Sequence, residues 1–273
     1  MINMNNAVGK KNIVFITLDT LRYDVACELF SKGLTPQLAN VIPQGWEKAH
    51  TPGSFTYAAH QAFFAGFLPT PATPGKHTRL FAANFQGSET TGPETAVFET
   101  ADIVSGLAAK NYRTICIGGT GFFNKQTPLG SVLPGLFSES YWQPEFGVTN
   151  RDSAKNQFVF AAHLLAKQER TKPFFLFINV SAIHQPNYFY SENETADSLQ
   201  THGAALAYVD SQLPLLFDAL RKQNDTIAII CSDHGTAYGE NGFTGHRIGD
   251  PVVWEVPFAV FELKSGNFES HAG

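Results

Sequence analysis

Cysteine is scarce in this sequence, and long hydrophobic runs are missing from it. Its 273 residues include only three cysteines, and Cys27, Cys116 and Cys231 stand far apart with no CxxC pair among them. An odd number of widely spaced cysteines argues against a disulfide framework and against a cysteine zinc site. No stretch approaches the roughly 20 apolar residues of a membrane span, and no apolar segment typical of a signal peptide follows the N-terminus. The sequence therefore predicts a cytoplasmic protein without membrane contact.

Charged residues are also few, at 16% of the chain, and the formal net charge is −5. A chain with neither a net positive charge nor a stripe of lysine and arginine offers no general attraction for DNA or RNA. Apolar residues make up 43% and aromatic residues 13% of the chain, with 24 phenylalanines, which we interpret as dense core packing. Since no repeat or break in composition divides the chain, residues 1–273 are predicted to form a single domain.

Short apolar runs alternate with helical patterns along the chain. Runs rich in β-branched and aromatic residues predict buried strands at residues 12–19, 113–118, 173–181, 226–233 and 256–263. The spacing of apolar residues predicts helices within 93–110, 151–170 and 197–223, the last kinked or broken at Pro214, and residues 68–93 are predicted to form a long loop. This alternation predicts an α/β fold with a doubly wound, mostly parallel sheet flanked by helices, in which ligands bind beyond the carboxyl ends of the strands.

Acidic residues stand at the ends of two predicted strands, where such a fold places its ligands. Asp19 ends the first strand, and Asp233-His234-Gly235 ends the fourth. A carboxylate beside an imidazole suits a divalent metal ion, and the glycine permits a tight exit from the strand. An Asp-His-Gly tripeptide alone is as often structural as it is part of a metal site. The prediction of a metal site therefore depends on the pairing of this tripeptide with Asp19.

A third motif lies in residues 49–69. Thr56 precedes a stretch of small and apolar residues with helical character that ends at Gly66. A hydroxyl that is bound to a metal ion at a helix N-terminus could act as a nucleophile, with backbone amides directed at an anion. The alternative is that Thr56 only caps the helix.

The order of these motifs resembles that of the alkaline phosphatase superfamily, in its sulfatase-like and phosphodiesterase-like members. Residues 16–24 (ITLDTLRYD) are similar to the superfamily's first metal-binding strand, and residues 66–69 (GFLP) resemble its Thr-Gly-x-x-Pro motif. The resemblance spans residues 12–262 and implies an alkaline-phosphatase-like α/β/α sandwich. Counting back from Gly66, it places Thr56 at the nucleophile position and His60 where sulfatases have arginine.

The resemblance also implies a set of metal ligands and catalytic residues. Four residues would bind one metal ion: Asp19, Thr56, Asp233 and His234. His246 matches a position where relatives have a histidine or lysine that binds substrate or a second metal ion, and His184 matches a His-x-Pro motif after a central strand. The implied catalytic residues are therefore Thr56, His184 and His246. A ligand set that contains histidine favours Zn²⁺ or Mn²⁺, as one or two ions.

Two departures from the sulfatase pattern narrow the expected chemistry. Main-type sulfatases convert a Cys or Ser in a Cys/Ser-x-Pro-x-Arg motif to formylglycine, and residues 56–60 (TYAAH) lack the convertible residue, the Pro and the Arg. Thr20 replaces the second Asp of an Asp-Asp pair and so removes an oxygen ligand that calcium favours. We therefore expect a metal-dependent hydrolase of a small phosphate mono- or diester. The alternatives are a sulfuric-ester hydrolase, a phospho-group transferase and an inactive scaffold or binding protein.

Plainer roles are predicted for other polar residues near these motifs. Arg22 and Asp24 either pair to fix the loop after the first strand or contact substrate. Asp210, on the long predicted helix, is predicted to be structural, and His60 to brace the helix of the nucleophile. Among the nine histidines, three are expected to have no part in the chemistry: His77, His163 and His202.

Overall fold

A seven-stranded sheet forms the centre of the protein. The computed structural model describes residues 2–66 and 102–266. Within these ranges the strands are β1 (Asn12–Leu18), β2 (Glu47–His50), β3 (Arg113–Ile117), β4 (Glu139–Tyr141), β5 (Phe174–Val180), β6 (Thr226–Cys231), β7 (Ala237–Tyr238), β8 (Thr244–Gly245) and β9 (Glu255–Leu263). Their order in the main sheet is β2-β9-β6-β1-β5-β3-β4, while β7 and β8 form a separate two-stranded sheet.

The main sheet is mostly parallel, as predicted. β1 pairs in parallel with β5 and β6, and β3 pairs in parallel with β4 and β5. β9 runs antiparallel to β6 and to the edge strand β2. The five strands predicted from apolar runs are confirmed as β1, β3, β5, β6 and β9. The short strands β2 and β4 were not predicted, because their side chains are exposed or half-buried and form no apolar run.

Helices cover both faces of the sheet, which confirms the doubly wound arrangement. Among the described residues they are α1 (Met4–Ala7), α2 (Tyr23–Ser31), α3 (Pro36–Val41), α4 (Thr56–Ala65), α5 (Ile103–Ala109), α6 (Pro128–Val132), α7 (Ser153–Ala166), α8 (Leu199–Arg221) and α9 (Pro251–Trp254). Side chains from α2, α3, α7 and α8 pack into the core on one face, and side chains from α4 and α5 pack into the core on the other.

Two of the three predicted helices are present over most of their length, and the third is described only in part. Residues 93–101 and the predicted loop at 68–93 lie outside the described residues. Of the two outcomes predicted at Pro214, a kink or a break, the break is wrong, because helix α8 continues through this residue. Proline removes one backbone hydrogen bond from a helix, and here the buried face that α8 packs against the core holds the helix together across that position.

Alternation along the strands divides the core into two parts. In β1, Val14, Ile16 and Leu18 face one cluster and Ile13 faces the other, because successive side chains of a strand point to opposite faces. The second cluster is rich in phenylalanine, with ring centroids 5.1 to 5.9 Å apart. Its rings are those of Phe64, Phe123, Phe137, Phe175 and Phe177. The phenylalanines therefore fill the core, as the composition predicted.

The three cysteines are free thiols, in agreement with the expectation that the chain has no disulfide framework. Within residues 2–66 and 102–266, no helix combines the length and the apolar character that crossing a membrane requires.

Asp210 joins α8 to the start of α3. Its carboxylate accepts hydrogen bonds from the backbone N–H groups of Gln37 (3.1 Å) and Leu38 (2.8 Å), and the residue is 1% exposed. Thr35, the N-cap residue of α3, makes no capping bond through its side chain. Asp210 therefore supplies the cap that α3 lacks locally, which agrees with the structural role predicted for it.

Replacement of this carboxylate tests its capping role. Asp210→Asn turns an amide N–H₂ group towards one of the two backbone donors and leaves that buried donor without an acceptor. We expect the free energy of unfolding in urea to decrease by about 1–3 kcal/mol. Asp218→Asn on the same helix, whose side chain is 64% exposed, is the control and should change the free energy by less than about 0.5 kcal/mol. Equal effects of the two substitutions would show that Asp210 does not cap α3.

Candidate functional site

The first two predicted site motifs meet at the carboxyl ends of neighbouring strands. β1 and β6 are paired with Thr17 opposite Cys231, so Asp19 and Asp233, each two residues further along, leave the sheet side by side. Together with His234 they form a fully buried group whose ligand atoms lie within 4.8 Å of one another. His234 Nε2 is 3.6 Å from Asp233 Oδ2 and 4.0 Å from Asp19 Oδ1. The structure therefore brings together three of the predicted metal ligands.

Each carboxylate keeps one oxygen free of hydrogen bonds inside this group. Asp233 Oδ1 accepts the backbone N–H groups of Thr20 (3.1 Å) and His234 (3.0 Å), whereas Asp233 Oδ2 and Asp19 Oδ1 have no partner among the described residues. Burial raises the pKa of both carboxyl groups, and the charge of Asp233 raises that of Asp19 further. Unpaired carboxylate oxygens are unfavourable in a buried place unless a cation accompanies them. This donor set therefore fits a divalent metal ion.

The imidazole of His234 is held in the orientation that a ligand requires. Its Nδ1 donates a hydrogen bond to the carbonyl of Gly235 (2.8 Å), so Nε2 carries the free lone pair. Gly235 is needed here because a Cβ atom would lie 1.9 Å from the carbonyl oxygen of Val252. The tight exit expected after Asp233-His234 is thus imposed by the backbone that passes beside it.

Thr56 is the first residue of α4, and its hydroxyl faces the same group. Thr56 Oγ1 lies 3.3 Å from His234 Nε2 and 3.5 Å from Asp19 Oδ2. The N-cap residue is Phe55, and no side chain caps the helix. The alternative that Thr56 only caps α4 is therefore wrong. The amides of the first helical turn, which have no partners within the helix, stay available to an anion.

A chain of hydrogen bonds behind Thr56 fixes the start of α4. His60 is fully buried and donates from Nδ1 to the carbonyl of Thr56 (2.7 Å), while its Nε2 lies 2.9 Å from the hydroxyl of Thr17. Burial lowers the pKa of His60 to about 3, so the ring is neutral. Its edges contact the rings of Phe123 and Phe177. His60 thus braces the start of α4, the role predicted for it, and its Nδ1 lies 3.7 Å from Asp233 Oδ2.

Thr20 adopts a backbone conformation that is rare for a β-branched residue, with φ of 66°. This turn directs its N–H at Asp233 Oδ1 and so links the end of β1 to the end of β6. Strained conformations persist where the surrounding structure determines them, often at functional sites. The residue that replaces the second Asp of the sulfatase pattern therefore contributes its backbone to the site.

His184 and His246 lie beside this group, at the outer side of His234. The ring centroids of His234 and His246 are 4.6 Å apart, and those of His184 and His246 are 5.8 Å apart. His246 Nδ1 is buried and has no partner among the described residues. Burial, and then the neighbouring His234 and His184, lower the pKa of His246 to about 3. His246 is therefore neutral near pH 7, the form that binds a metal ion or accepts a hydrogen bond.

Two residues of the site were not predicted from the sequence. Asn179 in β5 donates to Asp19 Oδ2 (3.0 Å) and orients that carboxylate; the only signal for it is one amide within an otherwise apolar strand. Arg247 follows His246, donates its backbone N–H to Ser54 (2.8 Å), and has its guanidinium over the ring of Phe55 at 5.8 Å. It brings a positive charge close to the start of α4. The sequence shows that Arg247 is adjacent to His246, but it does not predict that the guanidinium group lies over Phe55.

Comparison with known proteins identifies a family for this chain. The Sulfatase family profile matches residues 11–260. A search of curated proteins gives no match.

Solved structures with the same fold include several transferases. The soluble domain of lipooligosaccharide phosphoethanolamine transferase A from Neisseria meningitidis has a TM-score of 0.65 at 17% identity, over 93% of this chain and 77% of that chain. The C-terminal periplasmic domain of EcEptC from Escherichia coli, in complex with Zn, has a TM-score of 0.61 at 11% identity, over 93% and 73%. A protein in the alkaline phosphatase superfamily from Vibrio parahaemolyticus has a TM-score of 0.58 at 21% identity, over 94% of this chain and 61% of that chain.

At these sequence identities, the similarity to the solved structures concerns the fold alone. Because the family profile covers nearly the whole chain and the fold agrees, this chain belongs to the Sulfatase family, within the alkaline phosphatase superfamily.

Proposed function

We propose that this protein is a metal-dependent hydrolase that cleaves a phosphate ester with Thr56 as the nucleophile. The observation that carries the proposal is the hydroxyl of Thr56 at the first turn of α4, 3.3 Å from His234 Nε2 and 3.5 Å from Asp19 Oδ2. A hydroxyl in this position serves neither a helix cap nor the core. Its neighbours are metal-binding side chains and the open amides of a helix N-terminus.

Four side chains would hold the metal ion: Asp19, Thr56, Asp233 and His234. The two unpaired carboxylate oxygens support this assignment, as does His234 Nε2, whose lone pair is left available by the Nδ1 hydrogen bond and which faces Thr56 Oγ1 at 3.3 Å. A set of carboxylates with imidazole favours Zn²⁺ or Mn²⁺. When bound, a divalent ion would lower the pKa of the Thr56 hydroxyl and offset the charge of a nonbridging phosphate oxygen. His246 would bind either a second metal ion or a substrate oxygen.

The chain's own residues divide the remaining work. Thr56 loses its hydroxyl proton to solvent, and its Oγ1 forms the bond to phosphorus while the bond to the leaving oxygen breaks. Water then cleaves the resulting Thr56 ester. The amides of the first turn of α4 bind an anionic oxygen of the substrate. His60 keeps Thr56 in place by donating a hydrogen bond to the backbone carbonyl of Thr56. Where it does not hold a second metal ion, His246 contacts a substrate oxygen, and His184 is positioned beside it to give a proton to the leaving group.

Phosphate is favoured over sulfate because of the residue at position 56. A threonine hydroxyl cannot be converted to formylglycine, on which the sulfate chemistry of main-type sulfatases depends. A hydroxyl nucleophile suits displacement at phosphorus without any such modification.

Transfer of a phospho-linked group to an acceptor other than water is the second candidate. Structural neighbours that are named phosphoethanolamine transferase and lipoteichoic acid synthase favour it. Both candidates share the Thr56 ester and differ only in what removes the group. A single domain, a small-molecule substrate and a cytoplasmic location stay predictions.

Replacement of Asp233 by asparagine tests whether the buried carboxylates bind a metal ion, because the variant should no longer be stabilised by added metal. Asp233→Asn keeps the oxygen that accepts the N–H groups of Thr20 and His234 and replaces the unpaired Oδ2 with an amide. We expect the metal-free variant to melt no lower than the wild type, because a buried charge is removed. Added Zn²⁺ or Mn²⁺ should stabilise the wild type, by about 2.7 kcal/mol at one hundred times Kd, and leave the variant unchanged.

Asp210→Asn is the matched control for this measurement, because the same substitution there lowers stability while the response to metal stays that of the wild type. Equal stabilisation of wild type and Asp233→Asn by both metals would contradict the metal site.

Removal of the Thr56 hydroxyl tests the nucleophile. With a panel of nitrophenyl phosphate mono- and diesters and a nitrophenyl sulfate ester, Thr56→Ala should reduce turnover by at least about a thousandfold. The variant should keep its fold and still be stabilised by metal, because Asp19, Asp233 and His234 remain in place. Thr51→Ala and Ser54→Ala remove neighbouring hydroxyls and should keep turnover. If Thr56→Ala stays active, the nucleophile is misassigned, and Ser54 and Thr51 become the next candidates.

A competing acceptor separates hydrolysis from transfer. With a nitrophenyl phosphate monoester that the enzyme cleaves and increasing concentrations of glycerol, a hydrolase releases inorganic phosphate and nitrophenol in equal amounts. Nitrophenol in excess over phosphate, together with glycerol phosphate in the products, would favour the transferase.

A further inference from the structure

A buried polar cluster lies beside the metal-binding group and joins the segments that carry His184 and His246. We call it the His202 cluster, and its side chains are those of Asn187, His202 and Tyr238. Asn187 and His202 are fully buried and Tyr238 is half-buried. They come from three separate segments: the loop after β5, the first turn of α8, and β7. Buried polar groups from separate segments specify one arrangement only when each has a partner.

The backbone of Arg22 determines which nitrogen of His202 carries the proton. The N–H of Arg22, three residues after Asp19, donates to His202 Nε2 at 3.3 Å. A backbone N–H can only donate, so Nε2 must accept and the ring proton lies on Nδ1. His202 Nδ1 then donates to the hydroxyl oxygen of Tyr238 at 3.0 Å. Burial lowers the pKa of His202 to about 3, which keeps the ring in this neutral form.

Asn187 gives the hydroxyl oxygen of Tyr238 a second donor. Asn187 Nδ2 lies 3.0 Å from this oxygen and 2.9 Å from the carbonyl of Ile183. The carbonyl of Ile183 can only accept, which settles the orientation of the amide, and Asn187 Oδ1 accepts from the hydroxyl of Thr201 at 2.6 Å. The hydroxyl oxygen of Tyr238 therefore has two donors, His202 and Asn187, and the hydroxyl also interacts with the side chain of Gln185.

Tyr238 connects the two segments that carry the site histidines, one through its partner Asn187 and the other through its own strand. By binding the carbonyl of Ile183, Asn187 closes the turn that contains His184. Tyr238 itself belongs to β7, which pairs with β8 so that Tyr238 lies opposite Thr244, and His246 follows β8 directly. One hydroxyl therefore connects the turn of His184 to the hairpin of His246.

A charged contact reinforces the link to the hairpin. The side chain of Arg22 is 4% exposed and pairs with Asp24 and Glu240. Glu240 also accepts the backbone N–H of Tyr238 at 2.6 Å. A buried guanidinium needs such partners. Of the two roles predicted for Arg22 and Asp24, the structure favours the charge pair, and it extends the pair to the hairpin of His246.

We propose that His202 and Tyr238 are positioning residues that set the distance and orientation of His184 relative to His246. The proposal rests on the proposed function in one respect, the contact of these two histidines with substrate. It assigns a role to His202, for which the sequence had suggested none. Misplacement of a reacting group by about 1 Å can lower the rate on the order of a hundredfold. A hydrogen-bond network behind the site therefore affects turnover without touching substrate.

Tyr238→Phe removes the connecting hydroxyl and keeps the ring. Tyr112→Phe is the matched control: Tyr112 is 3% exposed, and its hydroxyl also makes two hydrogen bonds, with Gly9 and Lys11 at 2.8 Å each. Lys11 precedes β1, so this tyrosine lies at the end of the sheet away from the site. Both substitutions should lower the melting temperature similarly. Only Tyr238→Phe should disturb the site.

The first readout needs no substrate. In two-bond ¹⁵N–¹H correlation spectra of the zinc-loaded protein, His202 should show the Nδ1–H form, and the signals of His184 and His246 should shift in Tyr238→Phe and stay in place in Tyr112→Phe. A His202 ring protonated on Nε2, or unchanged signals of both histidines in Tyr238→Phe, would overturn the proposal even if the protein cleaves none of the esters tested.

The second readout uses whichever nitrophenyl ester the wild type cleaves. Tyr238→Phe should lower kcat on the order of tenfold with a smaller change in KM, while zinc content stays at the wild-type value. His202→Asn, whose amide can still donate to Tyr238, should retain more activity than His202→Ala. Equal kcat for Tyr238→Phe and Tyr112→Phe, or no rescue by asparagine, would overturn the positioning role and leave the assignment of Thr56 untouched.

Discussion

Two carboxylates buried side by side are the constraint on which this site depends. The register of β1 and β6 brings Asp19 and Asp233 together with an unpaired oxygen on each. Such a pair is costly in a protein interior unless a cation offsets its charge. The surrounding atoms keep this pair in place: the N–H of Thr20 in its left-handed conformation binds Asp233, and the amide of Asn179 binds Asp19. The sheet thus brings together a group of side chains that fits a divalent metal ion.

Thr56, the proposed nucleophile, is positioned from the opposite side by the phenylalanine-rich core. Rings of this core surround His60 and keep it neutral, and the neutral ring holds the carbonyl of Thr56. Packing of these rings around His60 therefore fixes the start of α4 relative to the carboxylates. His184 and His246 complete the site from the loops, whose relative position depends on the polar contacts around His202 and Tyr238.

Much of this arrangement could be predicted from the sequence, because strand ends and motif order are local signals. Asp19, Asp233 and His234 were predicted from their places after apolar runs, and the structure brings them together. Thr56 was located by counting from Gly66. Other features depend on contacts between distant segments. The tautomer of His202 is set by the backbone of Arg22, 180 residues away. Helix α8 continues through Pro214 because it packs against the core. Neither this packing nor the contact between Arg22 and His202 leaves a pattern in the sequence.

The central claim is that Thr56 carries the phospho group during turnover. The most direct test is rapid acid quenching of the zinc- or manganese-loaded enzyme during cleavage of a nitrophenyl phosphate ester, followed by peptide mass spectrometry. We expect a phosphate-derived mass increment on the peptide that contains Thr56, localised to that residue and absent in Thr56→Ala. An increment on Ser54 or Thr51, or turnover by the Thr56→Ala enzyme at the wild-type rate, would contradict the account.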